Sequence, residues 1–375
     1  MTLGILKEGP SENRVAISPD TVPALLKLGI EKVLVEKGAG ERAGMPDAAY
    51  QEAGAEIVSA DDVFAKSDIV VKIHRLSEDQ LGRLRKGQIL IGQFNPLWEP
   101  SLVEPLHKAG VTAFSLDLLP RTTRAQAMDV LSSMATVAGY KAVLLAANHL
   151  PRFFPMFMTA AGTIKPAKVL IIGAGVAGLQ AIATARRLGA VVEAFDVRTA
   201  AKEEVLSLGA KFVEVEGAVE SAAAGGYAVE QTEEFKKRQA EAVHEHAKNA
   251  DVIICTAQIP GRRAPLIVHQ HSVEAMQPGS VIVDLAASTG GNCAVTKDGQ
   301  TIVHKGVTVI GNSNLPATLP YHASAMYSKN MFNFLKLLVD KGEIKLNFED
   351  DIIAATCISH EGQVVSERLR QVMAG

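Results

Sequence analysis

Gly173-Ala174-Gly175-Val176-Ala177-Gly178 has the G-x-G-x-x-G spacing of a turn that meets a pyrophosphate. Each glycine has a physical task. Gly173 permits the tight turn, Gly175 lets the main chain approach the phosphates, and Gly178 lets the following helix lie close on the sheet. The free N–H groups at Gly175, Val176 and Ala177 and the positive end of the helix dipole would then face an anion. The turn follows an apolar run, Val169 to Ile172, and opens an alanine-rich helical segment reaching Leu188. A second strand-like run, Ala190 to Phe195, ends at Asp196. That acid lies eighteen residues after Gly178, near the roughly 20-residue separation at which a carboxylate bonds the adenosine ribose hydroxyls. Its charge should repel a 2′-phosphate, so NAD is favoured over NADP. Val197 and Arg198 follow, and the arginine weakens that preference. The bland alternative is a glycine turn that only packs strand on helix.

Other residues could share the chemistry. Thr256-Ala257-Gln258 and Ala286-Ala287-Ser288 stand at the carboxyl ends of later apolar runs, where a cofactor crosses a doubly wound sheet. Arg121, Arg124, Gln126, Asp129, Ser132 and Ser133 cluster after Pro120, with Thr123 placed to cap a helix running to about Ala147. An ordinary capped helix with a solvated face is an equally good account of that cluster. The stretch from Glu216 to Gln231 holds small residues around Tyr227 and is longer than the usual connection of about 4–6 residues. It reads either as a lid closing Tyr227 on a cofactor or as a tolerated surface insertion. The pairs His244/His246 and His269/His271 lack a completing cysteine or acid cluster, so no metal site is expected.

The elements that must position these groups alternate along the chain. From Leu3 to Leu119, strand-like runs near Gly4–Leu6, Lys32–Val35, Ile69–Ile73, Ile89–Gln93 and Thr112–Leu116 alternate with helical segments, which signals a parallel sheet with helices on its faces. This half has no phosphate fingerprint. From Lys165 to Asn312 the pattern is that of a doubly wound sheet of about the usual six strands, including a helix expected over Val229–Ala247. Pro320 to Val339 reads as a long helix returning to the first domain, and the tail from Phe348 has no evident place. The fold class expected is α/β, with two Rossmann-like doubly wound parallel-sheet domains and a cleft between them. The domains expected are 1–125 with 318–375, a connecting helix and linker over 126–164, and a nucleotide-binding domain over 165–317.

Composition narrows the partners. With 38 basic and 41 acidic residues, net charge −3, nothing points to nucleic acid or an anionic membrane. Cys255, Cys293 and Cys357 are far apart without a C-x-x-C, as expected of small core residues in a reducing compartment. The start lacks a signal-peptide pattern. The apolar uncharged run Val169 to Ala185 is too short and too glycine-broken to span a bilayer.

The stretch Arg121 to Gly139, then Pro155 to Thr163, the Gly173 turn, Gly225-Gly226-Tyr227, and Asp284-Leu285-Ala286 with Gly290-Gly291-Asn292, closely resembles the NAD(H)-binding component of proton-translocating nicotinamide nucleotide transhydrogenase. The opening Lys7-Glu8 and Asn13 to Ala16 is shared with the wider family that includes alanine dehydrogenase. The resemblance implies that Arg121, Asp129 and Ser132 grip the nicotinamide carboxamide and that Gln126 lies at the junction with a second nucleotide. It also implies that Tyr227 closes the mobile loop and that Gly226, Gln239 and Gln258 lie beside the nucleotide, although a more apolar residue is expected at Gln258. NADP(H) and the proton path would belong to partner subunits, one NADP(H)-binding and one membrane-spanning. This chain would be a homodimer on the cytoplasmic side, peripheral to the inner (plasma) membrane through those partners. Alanine dehydrogenase-like chemistry is the runner-up, but Gln93 and Ser288 stand where that family has a histidine and an aspartate; Arg14 and Lys72 remain. A third reading, an NAD-sensing module, leaves the dressed nicotinamide segment at Arg121 to Ser132 without a purpose.

Overall fold

The computed structural model describes residues 1–219 and 231–374. The chain divides into two compact units, Met1–Met134 with Pro316–Gly375 and Ala135–Leu315. In the first, strands β1 (Thr2–Ile5), β2 (Lys32–Glu36), β3 (Glu56–Val58), β4 (Ile69–Val71), β5 (Ile89–Gly92) and β6 (Thr112–Ser115) alternate with helices α1 (Val22–Lys27), α2 (Asp47–Glu52), α3 (Ala60–Lys66), α4 (Glu78–Leu81) and α5 (Val103–Ala109). Helix α6 (Val130–His149) runs across the division. A hairpin follows, β7 (Phe157–Thr159) and β8 (Gly162–Ile164). The second sheet contains β9 (Lys168–Ile172), β10 (Val191–Phe195), β11 (Lys211–Phe212), β12 (Val252–Cys255), β13 (Val281–Asp284), β14 (Thr301–His304) and β15 (Val307–Gly311). With it go helices α7 (Val176–Arg187), α8 (Ala201–Ser207), α9 (Glu233–Ala247) and α10 (Gln270–Glu274). The chain then returns to the first unit through α11 (Pro320–Leu338), a small hairpin β16 (Val339–Asp340) and β17 (Glu343–Ile344), helix α12 (Asp351–Thr356), strand β18 (Cys357–Ser359) and helix α13 (Glu367–Ala374).

Among the described residues the first sheet has the order β18-β6-β5-β4-β1-β2-β3 and the second β11-β10-β9-β12-β13-β15-β14. Both are parallel except at one edge, where β18 pairs antiparallel with β6 and β14 with β15. Parallel strands covered on both faces read as continuous apolar runs, and every residue of β4, β12 and β13 is buried. Along β9 the pleat sends Val169 and Ile171 into one core with α6 and α7, and Leu170 and Ile172 into another with α9 and α10. The strand order of the second sheet reverses between β9 and β12, the place where a doubly wound sheet opens a crevice at its carboxyl ends. A Cβ on Gly139 of α6 would stand 2.1 Å from the carbonyl oxygen of Ala177. The absence of a side chain there lets α6 lie against the first turn of α7 and fix the glycine turn from behind.

Several expectations change. Helix α6 does not begin near Thr123: a single 3-10 turn, Gln126–Met128, comes first, and Asp129 accepts from the N–H of Ser132 at 2.9 Å and from its hydroxyl at 2.5 Å. A carboxylate with a hydroxyl three residues on is a better cap than a distant threonine. The second sheet has seven strands rather than about six because β14 adds an antiparallel edge. Helix α9 begins, within the described residues, at Glu233 rather than Val229, with Thr232 accepting from the N–H of Phe235 at 3.2 Å. The tail acquires a place, since β18 extends the first sheet at β6. Helix α6 is also long and apolar enough, by length and composition, to cross a membrane. Lys141 interrupts it, so it holds no long uncharged run. Its residues Ala142, Val143 and Ala146 are packed into the core of the second unit.

Candidate functional site

The three glycines of the turn are required for three different reasons. Gly173 has φ 90°, a left-handed backbone, and a Cβ there would meet Thr256 Oγ1 at 2.8 Å. A Cβ on Gly178 would stand 1.9 Å from the carbonyl oxygen of Gly173, so this glycine closes the helix onto the turn. Around Gly175 the space is open, with the Arg198 guanidinium 4.0 Å away as the nearest group. Helix α7 starts at Val176 without a side-chain cap. Its first-turn N–H groups, beside exposed Val176 and half-buried Ala177, are therefore available to an anion.

Asp196 is held more tightly than its sequence position suggests. Its carboxylate accepts from Ala174 N at 2.7 Å and from Arg198 through the main-chain N at 2.8 Å, Nε at 2.9 Å and Nη2 at 2.8 Å. The arginine that weakens a preference for NAD on sequence grounds is thus committed to the acid. Val197, between them, is half-buried.

At the end of β12, Thr256 Oγ1 donates to the carbonyl of Gly173 at 2.8 Å and so ties the neighbouring strand end to the turn. Ala257 is clamped by Asn292, whose Oδ1 accepts from Ala257 N at 3.0 Å and whose Nδ2 donates to Ala257 O at 2.8 Å. Asn292 is fully buried and is positioned in turn by Asp284, which accepts from the N–H groups of Ala286, Asn292 and Cys293 and from the Thr296 hydroxyl. Burial pushes the Asp284 pKa up, while these bonds to its charged form pull it down. Gln258 is exposed and donates to the carbonyl of Leu285 at 2.9 Å. Gln239 is buried on α9. Gly226 and Tyr227 lie outside the described residues.

In the first unit, the segment from Arg121 to Ser132 exposes Arg121 and Gln126 while Ala125 and Met128 are buried beneath it. Asp129 and Ser132 bond each other at the start of α6. Of the groups a dehydrogenase would use, Arg14 makes a two-pronged pair with buried Glu12, Nε to Oε1 at 2.8 Å and Nη2 to Oε2 at 2.7 Å. Burial pushes the Glu12 carboxyl up, but its bonds to Arg14 and His74 outweigh that and hold it well below the usual range. Lys72 donates to Gln80 Oε1 at 3.1 Å. Gln93 is half-buried and Ser288 exposed, and neither supplies an acid. The cysteines are free and buried, and burial raises the Cys293 thiol to about 11. His244 contacts Ser272 Oγ at 3.1 Å and His246 contacts Glu193 at 2.6 Å. Two contacts are made that spacing does not signal: Asn292, which sits in the family motif, clamps Ala257, and Arg124 pairs with Asp350. In both, the partners are distant in sequence.

Two parallel α/β units, one bearing a glycine turn at a strand-order reversal, define a dinucleotide-binding class of protein. Residues 4–138 match the family described as "Alanine dehydrogenase/PNT, N-terminal domain", and residues 142–367 match "Alanine dehydrogenase/PNT, C-terminal domain". The chain is 45% identical over 380 aligned positions to the first of the separately named parts of NAD(P) transhydrogenase subunit alpha of Rhodospirillum rubrum, covering 98% of this chain and 99% of that one. Its structure is similar to the crystal structure of transhydrogenase from Sinorhizobium meliloti, with TM-score 0.89, 44% identity, and 97% and 100% of the two chains covered. It is also similar to an L-alanine dehydrogenase structure, with TM-score 0.82, 27% identity, and coverage of 100% and 99%. The chain belongs to the alanine dehydrogenase/PNT family, on its NAD(P) transhydrogenase alpha-subunit branch.

Proposed function

We propose that this chain is the NAD(H)-binding subunit of a proton-translocating transhydrogenase, in which hydride passes directly between NAD(H) held here and NADP(H) held on a partner subunit. The observation that carries the proposal is the segment Arg121 to Ser132, which exposes Arg121 and Gln126 from a main chain anchored by buried Ala125 and Met128. A bound nicotinamide supplies or accepts the hydride at its C4 carbon, one ring being reduced as the other is oxidised, and no proton is exchanged. What the chain must supply is orientation. Arg121, Asp129 and Ser132 would hold the carboxamide, and Gln126 would meet the second nucleotide. The turn at Gly173, Gly175, Val176, Ala177 and Gly178 would hold the pyrophosphate. Asp196, Val197 and Arg198 would hold the adenosine ribose, with Gly226, Tyr227, Gln239, Thr256, Ala257 and Gln258 beside the nucleotide. Commitment of Arg198 to Asp196 favours NAD over NADP, because the guanidinium is already engaged and is not at the disposal of a 2′-phosphate.

The test is stopped-flow transfer from NADPH, bound to a purified NADP(H)-binding transhydrogenase component, to an acetylpyridine analogue of NAD on this protein. Rapid transfer without pyruvate-dependent NADH oxidation is the expected result. Pyruvate- and ammonia-dependent oxidation by the isolated chain, with no transfer, would establish the amino-acid dehydrogenase reading instead.

That the Rhodospirillum rubrum relative is named as only a portion of subunit alpha supports separate partner subunits for the NADP(H) site and the proton path, with this chain attached through them to the cytoplasmic side of the inner membrane. A homodimer accounts for the hairpin of the second unit. Phe153, Met156, Phe157, Met158 and Ile164 are exposed there, Met158 by 75%. Such a cluster of large apolar groups marks an association surface. Met158→Asp is expected to shift the chain from dimer to monomer in light scattering after gel filtration, at unchanged far-UV circular dichroism. A persistent dimer would move the interface elsewhere.

A further inference from the structure

The segment that carries Arg121 and Gln126 is fastened by residues that come from the chain's return to the first unit. Arg124 pairs with both Asp350 and Asp351, its Nη2 lying 2.9 Å from Asp350 Oδ1. Asp350 also caps α12, accepting from Ile352 N at 2.9 Å and Ile353 N at 3.2 Å, so its carboxylate is fixed to a helix end. The Arg124 guanidinium holds the Asp350 carboxyl below its ordinary range. On the other side of Gln126, the carbonyl of Ala127 accepts from Asn330 Nδ2 at 2.9 Å and Asn333 Nδ2 at 3.2 Å, both on α11. Gln126 is exposed and lies between these two fastenings.

We propose that Arg124 with Asp350 and Asp351, together with Asn330 and Asn333, is a positioning clamp for hydride transfer, a role that rests on the transhydrogenase function proposed above. Arg124 is 48% exposed, Asp351 60% and Asp350 16%, and an ion pair whose guanidinium stands half in solvent contributes little to folding. The consequence of the clamp is therefore geometric. A displacement of about 1 Å in a positioning group can cost on the order of a hundredfold in rate, whereas the contacts that the proposed function assigns elsewhere on the dinucleotide would be unchanged. The clamp acts through Gln126 and Arg121 and touches no reacting atom.

The experiment uses the full chain with Arg124→Gln, Asp350→Asn and the double variant, since asparagine keeps the helix cap while removing the charge. Three quantities are read: single-turnover transfer from NADPH on the partner component, NADH affinity, and amide hydrogen exchange of residues 121–129. Arg124→Gln, which removes both ion pairs, is expected to slow transfer about tenfold, Asp350→Asn by less because the pair with Asp351 survives, and the double variant no further than Arg124→Gln. NADH affinity should stay within about twofold, exchange over 121–129 should rise, and Arg124→Lys should recover part of the rate. Transfer and exchange both at wild-type levels in Arg124→Gln would overturn the clamp, as would slowing matched by an equal loss of NADH affinity. If the wild-type chain itself transfers no hydride, the proposed function fails separately. Exchange then decides the clamp alone, and unchanged protection in Arg124→Gln rejects it.

Discussion

Gln126→Leu is expected to slow hydride transfer to the acetylpyridine analogue by about a hundredfold, with NADH affinity within about twofold of the unsubstituted chain. The side chain is exposed on a 3-10 turn whose neighbours Ala125 and Met128 are buried. Leucine keeps nearly the same bulk but removes both the amide donor and the acceptor, so it tests polar alignment rather than packing. Because the position is exposed, folding should be affected by less than about 0.5 kcal/mol, and the melting temperature is the control. Reduction of the rate in proportion to lost NADH binding would mean that Gln126 holds its own nucleotide and not the junction with the second. An unchanged rate would remove the observation on which the proposed function stands.

Gly178→Ala carries the second large effect. The added methyl would lie 1.9 Å from the carbonyl oxygen of Gly173, a backbone atom that cannot turn aside as a side-chain end can. Helix α7 must then lift from the turn, which displaces the first-turn N–H groups and breaks their aim at the pyrophosphate. Alanine favours helix by about 1 kcal/mol over glycine, yet overpacking of this kind costs about 1–3 kcal/mol or more. The net expectation is a lower melting temperature for the second unit and loss of NADH affinity by tenfold or more, on the order of 1.4 kcal/mol or beyond, measured by titration calorimetry. Gly175→Ala is the contrast within the same motif. Its Cβ would have open space, so folding should survive while close approach by a diphosphate is obstructed. Equal stability losses in the two variants would show that the three glycines share one packing role and would count against a phosphate cradle.

Features that depend on local chemistry are legible in the residues alone. A G-x-G-x-x-G between an apolar run and a helical segment can fold in few ways, because glycine's freedom at Gly173 and its missing Cβ at Gly178 act over a handful of residues. The buried strands are legible for the same reason, since β4 and β12 are short apolar runs and β13 is one up to its terminal Asp284. Boundaries are less so. Thr123 reads as the cap, but the 3-10 turn intervenes and the bonds from Ser132 make Asp129 the cap instead. The tail has no local signal at all: β18 is a strand because β6 offers it an edge.

The long-range polar contacts belong to the folded chain and to nothing shorter. Asp196 reads from its spacing as a ribose partner, but the fold also binds it to Ala174 and Arg198, which changes what the arginine can do. Asn292 reaches Ala257 across 35 positions and Arg124 reaches Asp350 across 226. Such pairs have no period and no fixed spacing. They form because packing within each unit brings strand ends and returning helices together, and once buried or fastened there, their donors and acceptors must find one another.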